Sequence, residues 1–317
     1  MSLKALLAAS AAILFSSTVR AASASGPGPF TTLVTFGDSY TDVVSVGDGG
    51  TAWPVYAVGY ANATLFPFAR SGAPCSQHLT PRPFPSVFED EIPAYTSEAR
   101  NGTISVNPDN TLYTLWIGTN DLGPNTLLTG GVVNDTTIVE VTECAVGWVN
   151  AMYKLGARSF LFQNIIPLDR LPLYAVDSYP NRFWTLQRNT TEWHLFIKEL
   201  SVSGNAISKL MLKALPAELS GAHIGLFDSH ALFTDILDNP SNYLNGTAPL
   251  NTTGAINACV FKENTTISTC TVTTGTDRDS FVWFDELHPS EQSDRVVARE
   301  IANVLEGKGS KWATWFS

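Results

Sequence analysis

Leu33-Val34-Thr35-Phe36 runs without a break into Gly37-Asp38-Ser39-Tyr40-Thr41-Asp42. Apolar and β-branched residues followed by Gly, Asp and Ser, the residues of tight turns, read as a strand that stops at a turn with Ser39 just past its carboxyl end. Runs of the same kind recur at 65–69, 112–117, 159–164 and 223–228, with helix-length segments between them. Amphipathic stretches lie near 136–155, 182–215 and 290–305, and in the last of these Val296, Val297, Ile301 and Val304 recur at helical spacing. Such alternation predicts an α/β fold: one central parallel sheet of about five strands with helices on both faces. With 317 residues, 44% of them hydrophobic, the chain can bury a sizeable core in one domain. Ligands of open α/β sheets bind beyond the carboxyl ends of the strands, where Ser39, Gly72 and Asn120 all fall.

Each of these residue types answers a need of acyl transfer. A serine hydroxyl attacks a carbonyl only if something takes its proton. His288, in Asp285-Glu286-Leu287-His288-Pro289, titrates nearest neutral pH and can remove that proton and later return it to a leaving alcohol. Asp285, three positions earlier, can accept a hydrogen bond from Nδ1 of His288 and so fix its tautomer. The tetrahedral oxyanion needs donors, and three are at hand. They are the backbone N–H of Ser39, that of Gly72 in Arg70-Ser71-Gly72-Ala73, and the side-chain amide of Asn120 in Gly118-Thr119-Asn120-Asp121. No step calls for a cofactor.

These four blocks, in this order, resemble the GDSL, or SGNH, hydrolase family over about 31–305. The family's Gly-Asp-Ser-Leu reads Gly-Asp-Ser-Tyr here, with the tyrosine beside the nucleophile rather than in the chemistry. Its Ser, Gly, Asn and His fall on Ser39, Gly72, Asn120 and His288, and its Asp-x-x-His pair on Asp285 and His288. Within the family the chain is most similar to fungal secreted acetylesterases of carbohydrate esterase family 16. That likeness runs through Phe36-Gly37-Asp38-Ser39-Tyr40-Thr41-Asp42, Leu115-Trp116-Ile117-Gly118-Thr119-Asn120-Asp121 and Phe284-Asp285-Glu286-Leu287-His288-Pro289. The resemblance implies a single-domain, flavodoxin-like SGNH-hydrolase fold and a secreted serine esterase. Its substrates would be small-molecule or oligosaccharide acetyl esters such as those of acetylated hemicellulose.

Each block alone has a plainer reading. Gly-Asp-Ser is ordinary turn chemistry, Asn120-Asp121 can begin a helix, and Pro289 suits the first position of one. His78, His194, His223 and His230 show neither Asp-x-x-His nor metal-ligand spacing. There is no Gly-x-Ser-x-Gly elbow, Walker loop or dinucleotide-binding glycine turn. Gly47-Asp48-Gly49-Gly50 reads as a mobile loop, and most of Trp53, Trp116, Trp184, Trp193 and Trp283 as core aromatics.

Lys4, the apolar stretch 5–15 and small residues around Ala21, Ala22 and Ala24 have the layout of a secretory signal peptide over 1–21, cleaved between 21 and 24. Asn-x-Ser/Thr acceptors at Asn62, Asn101, Asn134, Asn189, Asn245, Asn251 and Asn264 agree with export through a glycosylating pathway. Cys75, Cys144, Cys259 and Cys270 allow three pairings. The local bridge Cys259–Cys270 is favoured, which leaves Cys75 for Cys144. The Asn-, Thr- and Gly-rich segment 229–280 reads as a glycosylated insertion bordering the cleft, and 306–317 as a tail whose Trp312, Trp315 and Phe316 pack on the body.

The net charge of −10, or −12 without Lys4 and Arg20, opposes nucleic acid and anionic membrane surfaces. No membrane anchor or lipidation motif is visible, and the sequence carries no sign of oligomeric state. Rival readings are a lipase or lysophospholipase with a wide acyl groove, a pectin or rhamnogalacturonan acetylesterase, and a glycan-binding protein without turnover.

Overall fold

The computed structural model describes residues 26–316, so the leader read at 1–21 lies outside the described residues. In chain order the strands are β1 Thr32–Gly37, β2 Thr64–Pro67, β3 Thr111–Trp116, β4 Ser159–Gln163 and β5 His223–Phe227, then β6 Asn251–Ala255, β7 Asn257–Phe261, β8 Ser268–Val272, β9 Phe281–Trp283 and β10 Ala313–Trp315. The helices are α1 Trp53–Ala61, α2 Ile92–Arg100, α3 Thr119–Leu122, α4 Ile138–Lys154, α5 Thr190–Ala214, α6 Ser229–Asp238 and α7 Glu291–Leu305. The main sheet has the order β10-β5-β4-β3-β1-β2, with β1 to β5 mutually parallel. Its 2-1-3-4-5 core is the flavodoxin-like winding, in which the strand order reverses between β1 and β3 and opens a crevice there.

The five parallel strands are the five runs read from the sequence. They carry continuous apolar sequence because both faces are covered. Leu33, Leu112, Leu161 and Phe227 join one core with Trp53 of α1, Phe233 of α6 and Val297 and Ile301 of α7. Val34, Tyr113, Phe160 and Leu226 join the other with Tyr95 of α2, Trp148 and Val149 of α4 and Leu212 of α5. Trp53, Trp116 and Trp283 are buried, as their core reading required. A sixth strand departs from the reading of 306–317 as a tail. β10 runs antiparallel to β5 with Trp315 opposite Gly225, a three-residue element too short to leave a periodic signal.

Helix α5 starts at 190, not 182, because Asn181 and Trp184 close a turn on each other and Asn189 caps the helix by accepting from the Glu192 N–H. Segment 229–280 divides in two. Its first ten residues are α6, with Leu232, Phe233 and Ile236 fully buried, and the remainder holds β6, which pairs with β9, and the β7–β8 hairpin. Cys75 is bonded to Cys144 and Cys259 to Cys270. Closing loops of 69 and 11 residues would stabilise the fold by roughly 4 and 3 kcal/mol on the chain-entropy model. Among the described residues no helix is long and apolar enough to cross a membrane.

Candidate active site

The turn after β1 places Ser39 at the crevice because Gly37 takes a φ of +136° and lies so close to β3 that a Cβ would meet the Trp116 carbonyl oxygen at 2.1 Å. Across 249 positions of sequence, Nε2 of His288 stands 2.9 Å from Oγ of Ser39. Nδ1 of the same ring is 2.9 Å from Oδ1 of Asp285. That oxygen also accepts from the backbone N–H groups of Leu287 and His288, at 2.9 and 2.8 Å, so one carboxylate both folds the loop and orients the ring. The loop's ends are pinned by the Phe284 N–H donating to the His288 carbonyl and by the Trp283–Pro289 bridge.

Burial alone would depress the His288 pKa, but the adjoining Asp285 carboxylate and buried Asp38 outweigh it and raise the imidazole above its ordinary value. Burial would raise Asp285, and the His288 charge with the three hydrogen bonds holds it below the usual carboxylate range instead. Asp38, beside the serine, is pushed by burial to about 7. Its Oδ1 accepts from the Tyr40 N–H at 3.0 Å.

Three carboxylates outside the Ser-His-Asp chain draw the strand tips together. Asp42 accepts from Val44 and Ser45 with one oxygen and from the Ser71 N–H, at 2.8 Å, with the other, which sets the Gly72 turn against the serine turn. Asp121 accepts from the Cys75 N–H and the Thr80 hydroxyl, joining the Asn120 turn to the same segment. Glu91 accepts from Gly37 at 3.0 Å and Arg70 at 3.1 Å. Gly72 has φ +82°, and a Cβ there would sit 2.4 Å from the Phe84 ring. Asn120 is nearly buried and gives one amide hydrogen to the Ala73 carbonyl at 3.1 Å, which leaves the other free. Ser39, Gly72, Asn120 and His288 line one cleft of about 450 Å³, walled by Val46, Phe84, Phe183 and Leu287. A hydroxyl, an imidazole and a carboxylate in series beside uncommitted N–H donors can generate a nucleophile and stabilise an oxyanion.

The structure adds residues that sequence reading passed over. Tyr40 is buried rather than a bystander: its hydroxyl donates to the Leu287 carbonyl at 2.8 Å and its ring meets His288 edge-on. Arg182 stands 3.8 Å from Asp285 Oδ2 and 3.6 Å from Glu286, and it donates to the Asn257 carbonyl on β7. Glu286 in turn accepts from the Cys259 N–H at 2.7 Å. The Gly47 loop, read as mobile, is packed: Asp48 is buried, and a Cβ on Gly47 would lie 2.5 Å from Cδ2 of His288. No residue of 229–280 lines the cleft. None of these partners has a sequence signature, since each is defined by a contact between distant segments.

The family model for GDSL-like lipase/acylhydrolase matches residues 33–301. An acetylesterase of Hypocrea jecorina is 30% identical over an alignment covering 90% of this chain and 92% of its own. An acetylesterase of Thermothelomyces thermophilus is 25% identical, covering 87% and 88%. Among solved structures, a member of the lipolytic G-D-S-L family from Veillonella parvula aligns with 86% of this chain and 95% of its own at 14% identity and a TM-score of 0.43.

Proposed function

The chain belongs to the GDSL-like lipase/acylhydrolase family, and from that premise we propose that it is a serine esterase that removes acetyl groups from carbohydrates, with Ser39 as nucleophile. The observation that carries this reading is the unbroken series Ser39–His288–Asp285, with both hydrogen bonds at 2.9 Å. Ser39 Oγ attacks the ester carbonyl as His288 Nε2 takes its proton. The oxyanion is held by N–H groups of Ser39, Gly72 and Asn120. Collapse expels the alcohol, protonated by His288, and leaves an acetyl-enzyme. His288 then deprotonates a water that attacks the acetyl carbonyl, and acetate leaves as Ser39 recovers its proton.

Acetyl rather than long acyl chains suits the wall of the cleft. Phe84 lies against Gly72 in that wall and leaves no room beside its Cα. Both sequence relatives named above are acetylesterases. We further propose secretion and glycosylation: six of the seven acceptor asparagines are exposed, and Asn251 is half-buried with its Oδ1 engaged by Thr253 and Gly254. Hemicellulose-derived oligosaccharides are the proposed natural substrates.

A panel of acetylated xylo- and manno-oligosaccharides against chromogenic esters of rising chain length and a phospholipid tests the reading. Activity should fall sharply beyond acetate, and phospholipid should not be cleaved. A trapped organophosphonate adduct on Ser39 should accompany full inhibition. Undiminished activity of Ser39→Ala would end the proposal, and a preference for octanoate would replace it with the lipase reading.

A further inference from the structure

We propose that the guanidinium of Arg82 and the hydroxyl of Tyr174 form a carboxylate-binding subsite that opens on the ester cleft beside Asn120. A separate cavity of about 60 Å³ adjoins the cleft, and Arg82, Asn120, Phe183 and Leu287 line both. The volume is several times the roughly 10–15 Å³ that one water needs, so a two-carbon acid fits where a fatty acyl chain would not.

Two groups in its wall keep hydrogen-bonding capacity unused. Tyr174 is 1% exposed, yet its hydroxyl makes no hydrogen bond among the described residues. The hydroxyl faces Gly123, another lining residue, and would stand 3.0 Å from a Cβ there. A buried hydroxyl without a partner costs free energy, and a ligand oxygen would recover it. Arg82 spends Nε on the Gly72 carbonyl at 3.2 Å and Nη1 on the Asn120 and Pro124 carbonyls at 3.4 Å. Its Nη2 has no acceptor, and no carboxylate pairs with the group within 4.0 Å among the described residues. The acids whose charges reach it, Asp121 and Asp38, have backbone N–H groups and, for Asp121, a hydroxyl as their bonded partners. Arg188 adds a second positive charge felt at Tyr174. A half-buried guanidinium with one uncommitted amino group and a nearby phenol is matched by a carboxylate, which accepts from both at once.

Two sources of that group exist if the proposed esterase reading, on which the identity of the ligand rests, is right. One is the acetate released by deacylation in the adjoining cleft, and the other is a uronate branch on the sugar substrate. The small volume favours acetate.

Calorimetry on full-length Ser39→Ala at fixed ionic strength tests the subsite without turnover, with sodium acetate, acetamide, glucuronate and glucose as probes. Acetate should bind at least tenfold more tightly than acetamide. Arg82→Gln and Tyr174→Phe, made separately, should each weaken acetate severalfold while leaving acetamide unchanged. Tyr174→Phe removes a hydroxyl that bonds to nothing, so it keeps the test alive if the Arg82 variant fails to fold. Tighter binding of glucuronate than glucose, with the same sensitivity, would assign the subsite to substrate instead of product. If neither acid binds better than its neutral counterpart, or both substitutions leave binding untouched, the subsite does not exist. Wild-type protein that binds acetate in this way but hydrolyses no acetate ester would refute the esterase reading alone.

Discussion

Gly47 has no side chain where the ring of His288 passes, and a Cβ there would stand 2.5 Å from Cδ2, inside the distance any real contact allows. Gly47→Ala must therefore displace either the loop or the imidazole. Because a shift of about 1 Å in a reacting group can cost roughly 100-fold, we expect kcat on a chromogenic acetate to fall about 10- to 100-fold with the fold intact by circular dichroism. Gly59→Ala on α1, where a Cβ meets nothing, is the control: kcat unchanged and Tm slightly raised, as an alanine in a helix is worth about 0.5–1 kcal/mol over glycine.

The raised pKa of His288 gives the pH profile its direction. The proposed mechanism needs the neutral ring, so activity should decline on the acid side starting above the ordinary imidazole value. Asp285→Asn removes the charge that raises it and leaves the burial that lowers it. The acid limb should move to lower pH while kcat drops by about 100- to 10,000-fold, less than for loss of Ser39. An acid limb that stays in place in Asp285→Asn would contradict this account.

In the proposed mechanism Asn120→Ala withdraws one oxyanion donor. The expected loss is roughly 2.7–4 kcal/mol of transition-state stabilisation, expressed in kcat with little change in KM. Steady-state kinetics on a neutral acetate ester separates the two parameters.

Asp38 is held near 7 in the fold by burial but ionises at an ordinary carboxylate value in the unfolded chain. Between those two values the folded state keeps a proton that the unfolded state has lost, so its contribution to stability falls as pH rises from about 4 to 7. Asp285 acts oppositely, its contribution fading as pH falls through the carboxylate range. Thermal melts of wild type and Asp38→Asn across pH 4–8 should show a shallower decline toward neutral pH in the variant.

How much of this was legible in the sequence follows from what each signal depends on. The parallel strands were readable because burial on both faces forces uninterrupted apolar runs such as Leu33 to Phe36. The meeting of Ser39, Asn120 and the Asp285–His288 pair could be anticipated because each sits in a local block whose residue types fit one chemistry. Helix α1 was not, because it is apolar almost throughout and shows no stripe. Neither was β10, three residues long, whose Trp315 packs over Gly225 of a distant strand. Arg182, Tyr40 and Arg82 escaped for the reason that governs all tertiary contacts: what fixes their role is a neighbour many residues away.

The knitting of the strand tips by Asp42, Asp121 and Glu91 has an engineering corollary. Those carboxylates grip main-chain N–H groups and one hydroxyl, not the side chains that face the substrate. The wall residues Val46, Phe84 and Phe183 can therefore be exchanged while the backbone frame beneath them keeps its shape. Retargeting such a scaffold to bulkier esters becomes a matter of repainting the walls, with the foundation left alone.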